Sequence, residues 1–167
     1  MSQSLFSYTI WAIGLVLLQV LVGNHIHIFG IAMPMLYIYI LLILPNDTPH
    51  WVTLFVAFFV GIAVDVFSNT PGLTASSLLI VALLRPYILQ AFAPKEKGDD
   101  ALTPSTRTME WGGFTRYAVT ITLLHCIAFY SIEAFGIVHF TSLLLSIIGS
   151  TVLTTLLILG IEMLRHR

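Results

Sequence analysis

The sequence predicts an all-α integral membrane protein with six transmembrane helices in one domain, 1–167. Three observations carry that expectation. Hydrophobic residues make up 57% of the chain and charged residues only 9%, where a soluble domain carries about 25% charged residues. Apolar runs recur, most of them near the ~20 residues a helix needs to cross ~30 Å of hydrocarbon. The charges gather in one segment, Ala93–Gly113, and at the C-terminus. A net charge of −1 provides no global field to recruit nucleic acid. The lone Cys126 has no partner within the chain for a disulfide.

The first span is expected at 5–22, with Gln19 its one strongly polar residue. The N-terminus lacks the basic region of a signal peptide, so this run reads as retained. Asn24–Gly30 alternates in polarity and reads as an irregular or strand-like connection. The second span, 31–44, is short, and Pro34 fits its first turn. It either crosses or is partly re-entrant. Pro45–His50 is a polar turn. The third span, 51–68, opens on an interfacial tryptophan, Trp51. The fourth, 73–92, contains Arg85-Pro86, where proline removes a backbone hydrogen bond and kinks the helix. A solvated, mobile loop follows at 93–113. The fifth span is expected at 114–135, with His125 in its middle and Glu133 near its end. The sixth is expected at 140–164.

Basic residues set orientation. Lys95, Lys97 and Arg107 share one loop, flanked by Arg85 and Arg116, while Arg165 and Arg167 lie at the C-terminus. Two spans separate these groups, so both face the cytoplasm, and four earlier spans place the N-terminus there too. A re-entrant second segment would leave five crossings and put the N-terminus outside.

The most informative stretch is Gly61–Gly72. Asp65 lies inside an apolar run, where a charge costs roughly 2.5–3.5 kcal/mol at the bilayer centre. It sits one turn before Asn69, near a helix C-terminus whose dipole disfavours an anion. Free backbone N–H groups at Gly72 and Leu73, and the hydroxyls of Thr74, Ser76 and Ser77, are the expected compensation. Pro71 is expected at the first position of the following helix. The carboxylate either faces a partner or cavity, or only fixes the hairpin. Arg85 has Asp47 or Glu162 as candidate partners, or snorkels to the inner interface. Ser142, Ser146, Ser150 and Thr154 recur every four residues beside Gly149. That is a helix-packing stripe, serving either this chain or a partner helix. His25, His27 and His139 are a thin metal-site candidate beside the plainer reading of interfacial polar residues. His125 and Cys126, adjacent on a helix, point apart and make no nucleophile–base pair. No motif argues for catalysis or a cofactor.

The segments NHIHIFGIAMPMLYIYILLILPNDTPHW, GIAVDVFSNTPG and ALLRPYIL, within 24–89, resemble the bacterial rod shape-determining membrane protein family MreD. The most specific resemblance lies at Gly61, Asp65, Thr70, Pro71 and Gly72. It implies a non-enzymatic scaffold in the bacterial inner membrane that binds the helix-bearing protein MreC. Through MreC it implies indirect links to MreB filaments, the glycosyltransferase RodA and its penicillin-binding transpeptidase. It also implies a fold like the six-helix substrate-binding component of energy-coupling-factor transporters. The competing expectation is a small-molecule binding or transport subunit, with a cavity lined by Asp65, Gln19, Glu133 and the outer histidines.

Overall fold

The computed structural model describes residues 2–21, 32–92, 103–134 and 140–165. Among these the chain is helical, with no β-strand. Helix α1 spans Ser2–Leu21, α2 Tyr39–Ile43, α3 His50–Ser68, α4 Leu73–Phe92, α5 Glu110–Glu133 and α6 Phe140–Arg165. Helices α3, α4 and α6 are long and apolar enough to cross a membrane. The strand-like reading of 24–30 lies outside the described residues, as do 93–102 and 135–139.

Helices α3, α4, α5 and α6 pack as successive neighbours, and α1 packs against α3 and against residues 36–43. The outward faces are apolar. On α3, Trp51 meets Phe55 edge-on and Phe55 stacks on Phe59, with ring centroids 6.0 and 6.2 Å apart. All three are exposed.

The second expected span departs most from its sequence reading. No helix covers 31–44. Residues 33–35 are outside any helix, Leu36–Ile38 form a 3-10 turn, and only Tyr39–Ile43 is α-helical. The prolines explain this. Pro34 disfavours helical geometry at Met33, and Pro45 does the same to Leu44, which is extended at ψ 135°. The segment is buried at every residue from Pro34 to Leu44. It runs through the bundle from Gln19 and Ser150 at one end to Arg85 at the other. A non-helical start lengthens its reach to about 23 Å for residues 33–43, against roughly 16 Å for continuous α-helix.

The expected loop 93–113 is also corrected in part. Helix α5 begins at Glu110, and Ser105, Thr106 and Met109 are buried against the bundle. Ser105 and Thr108 form a compact turn, with Thr108 and Met109 N–H groups donating to Ser105 O.

Candidate functional site

The hairpin between α3 and α4 is built around Asp65. Helix α3 ends on Asn69 in the left-handed region, φ 55°, which Asn tolerates better than most residues. Thr70 N–H donates back to Asp65 O at 3.2 Å, the six-to-one bond that closes a helix C-terminus. Thr70–Leu73 then forms a tight turn. Leu73 N–H donates to Thr70 O at 3.2 Å, and Gly72 has φ 81°, as a turn with Pro then Gly at its centre requires. Gly72 O accepts the first bond of α4, from Ser76 N–H at 3.0 Å. Gly72 is therefore the N-cap, and it has no side chain to cap with.

Asp65 supplies the missing cap from the preceding helix. Its Oδ1 accepts from Thr74 N–H at 2.8 Å and from the Thr70 hydroxyl at 3.0 Å. Its Oδ2 accepts from Ala75 N–H at 3.0 Å. Thr74 and Ala75 are the second and third helical positions, whose N–H groups an N-cap side chain ordinarily satisfies. The positive end of the α4 dipole further offsets the carboxylate. The sequence expectation of bonds at Gly72 and Leu73 is thus displaced by two residues. Pro71 precedes α4 rather than opening it.

Gly61 makes this geometry possible. It lies one turn before Asp65 on the same face. A Cβ there would come within 2.4 Å of Ala75 Cα, so only glycine lets the start of α4 approach α3 this closely. Beside the turn is an open hollow of about 290 Å³, lined by Ile62, Asp65, Val66, Asn69, Pro71 and Gly72.

In the middle of the bundle, polar side chains hold the broken segment. Gln19 Nε2 donates to Pro34 O and its Oε1 accepts from Leu36 N–H, both at 2.8 Å. Met33 N–H donates to Ser150 Oγ and Met35 N–H to Thr154 Oγ1, both at 3.0 Å. Non-helical backbone in a water-poor interior persists only where such partners exist. Tyr37 hydroxyl and His125 Nε2 are 2.9 Å apart.

The serine stripe is therefore divided. Ser150 is buried and also lies 2.7 Å from the Tyr130 hydroxyl. Ser146 is half-buried and Ser142 exposed. At Gly149 the α6 backbone packs close to the start of the segment, where an added Cβ would lie 3.1 Å from that of Ala32.

At the end opposite the hairpin, Arg85 and Glu162 are both buried and do not pair with each other. Arg85 Nη2 donates to Leu44 O, the last carbonyl of the broken segment. It neither snorkels nor pairs with Asp47, which lies in the exposed turn. Glu162 accepts from the Tyr39 hydroxyl and, at 3.2 Å, from Thr106 N–H. Arg165 Nη1 is 3.8 Å from its Oε2. Thr106 and Tyr39 carried no signal in sequence that would link them to Glu162.

Among the described residues no group of three metal-ligating side chains occurs, and His25, His27 and His139 lie outside them. No family model, curated protein or solved structure matches the chain.

Proposed function

We propose that this chain is a non-enzymatic membrane scaffold of the bacterial cell-elongation machinery, of the MreD kind. In this reading it crosses the inner membrane six times, with both termini cytoplasmic, and binds the transmembrane helix of MreC. That contact places peptidoglycan synthesis through RodA and its transpeptidase partner. The observation that supports it most is the filled interior. The chain's own residues 34–44 occupy the centre of the bundle, all buried. Two of the polar groups expected to line a solute cavity are engaged in holding backbone, Gln19 at Pro34 and Leu36 and Asp65 at Thr74 and Ala75, while Glu133 is exposed. The transport reading would require displacing that segment.

What is left for recognition is the outer surface. Helix α6 exposes Leu145, Ile148, Val152 and Leu156, and the small residues Ser142 and Ser146 lie near its start. Small residues allow a second helix to approach closely. The test is co-purification of MreC with the full chain in detergent. Ser142→Leu with Ser146→Leu is expected to abolish it while the melting temperature changes little. Retention of MreC by that double variant, or recovery of a bound solute in place of MreC, refutes this reading.

A further inference from the structure

Asp65 is 4% exposed, yet it lines the open hollow of about 290 Å³ beside the α3–α4 turn. The other lining residues, Ile62, Val66, Asn69, Pro71 and Gly72, are all exposed. An ionised carboxylate has about four acceptor positions, and three are used, by Thr70, Thr74 and Ala75. Those three donors are neutral. No ion pair reaches Asp65 among the described residues. Nor does any hydrogen bond among them engage the side-chain amide of Asn69.

The helix dipoles leave the charge standing. The positive end of α4 acts on Asp65, but Asp65 itself lies in the last turn of α3, whose end is negative. The two helices have 19 and 20 residues, and each terminus carries about half an elementary charge, so the two ends nearly cancel. The hollow therefore presents one negative charge, one spare acceptor position and an amide oxygen, set in apolar walls.

That chemistry fits a cation on an apolar stem. A divalent metal ion takes about six or more oxygen ligands, and the hollow offers two polar side chains. A zwitterionic lipid head brings a phosphate with its amine, so it supplies no net positive charge, and no basic residue lines the hollow to receive the phosphate. A free solute would be poorly enclosed, since ligand pockets span about 300–1,000 Å³ and cover most of the ligand. A side chain tethered to a partner loses little by that openness. Arginine suits the site better than lysine: its planar fork reaches two acceptors at once, and it is more weakly hydrated.

We infer that the hollow receives an arginine side chain of a partner protein. The guanidinium donates to Asp65 and to Asn69 Oδ1, and the stem lies on Ile62, Val66 and Pro71. This rests on the reading that the chain is a scaffold for a helix-bearing partner. In the topology proposed above the hairpin faces outward, so the arginine belongs to the part of the partner that leaves the membrane on that side.

The probe is acetyl-Leu-Arg-Leu-amide, titrated into the full chain in an uncharged detergent and followed by the amide resonances of Asn69, Thr74 and Ala75. Its citrulline counterpart keeps the shape and lacks the charge. The arginine peptide should shift these resonances saturably. The citrulline peptide should bind about tenfold or more weakly, as the loss of a hydrogen bond between charged groups implies. Asp65→Asn should erase that preference. Asn69→Gly retains the left-handed backbone and removes the second acceptor, so the arginine peptide should bind severalfold more weakly at an unchanged melting temperature. Equal binding of the two peptides, no binding of either, or an arginine preference unchanged in both variants overturns the site. So does phosphatidylethanolamine that stays with the purified chain, shifts the same resonances and is not displaced by the arginine peptide. These outcomes stand apart from the co-purification of MreC: a chain that holds MreC yet ignores the arginine peptide keeps its scaffold reading and loses this site.

Discussion

The two ends of the bundle neutralise their buried charges in different ways. At the hairpin end, Asp65 is satisfied by backbone nine and ten residues ahead of it and by a hydroxyl five residues ahead. At the other end, Glu162 is satisfied by Thr106 and Tyr39, which are 56 and 123 residues away in sequence. Arg85 is tied to Leu44, 41 residues away. The first arrangement is a local device that two consecutive helices build alone. The second ties α6, the broken segment and the 103–109 turn together, so it exists only once the whole bundle has closed. A local device should fail locally, and a convergent one should fail everywhere.

The largest expected effect follows from that contrast. Glu162→Leu removes the acceptor of a buried hydroxyl and a buried N–H, and leaves Arg165 without its carboxylate. Breaking a buried charged network in this way costs about 3–5 kcal/mol. Residues 103–109 should also become open to protease in the folded protein, because their anchor to α6 is gone. Glu162→Gln keeps an acceptor and should lose less. A Glu162→Leu protein that melts near wild type, with 103–109 still protected, would show that this end is not a convergent latch.

The same contrast explains what could be read from sequence. The long apolar helices were legible because hydropathy and length report them directly; α4 falls on its expected bounds, and α3 and α6 within one residue of theirs. The Asp65 cap was legible because both partners lie within one hairpin, whose turn residues Asn69, Pro71 and Gly72 mark its geometry. The displacement to Thr74 and Ala75 arose because Pro71 and Gly72 form a turn before α4 begins. By contrast, nothing near Pro34 announces that Gln19, Ser150 and Thr154 will serve its neighbours' backbone. Those hydroxyls read equally as helix packing. A span shorter than 20 residues was the one visible sign, and its solution, a partly extended path, depends on partners far along the chain. Glu162 was visible only as a candidate partner for Arg85, and the partners it has, Tyr39 and Thr106, were not.

A middle-sized effect is expected at Asp65. Asp65→Leu leaves Thr74 and Ala75 N–H groups without their acceptor, at a cost of about 2 kcal/mol, toward the upper range for a lost N-cap. Asp65→Asn retains one acceptor oxygen and should cost roughly half of that. Neither change should alter protection of 103–109, since no bond of Asp65 reaches that end. Amide hydrogen exchange at Thr74 and Ala75, read beside exchange at Thr106, measures the separation. If Asp65→Leu loosened Thr106 as much as Thr74, the two ends would be one cooperative unit and the contrast would collapse.

The smallest effect sharpens the contrast from within the hairpin. The Thr70 hydroxyl donates to Asp65 Oδ1 at 3.0 Å and is half-buried. Thr70→Val keeps the shape and removes that donor alone, while Oδ1 retains Thr74 N–H. A cost of about 1 kcal/mol is expected, the usual net worth of one hydrogen bond. Because both residues act on the same carboxylate, the effects of Thr70→Val and Asp65→Leu should not add. Once Asp65 is gone, Thr70→Val has no bond left to break and should be nearly silent. Melting curves of the two single variants and the double variant close that cycle. Full additivity would mean that Thr70 stabilises the turn independently of Asp65, and the cap would then rest on the two backbone bonds to Thr74 and Ala75 alone.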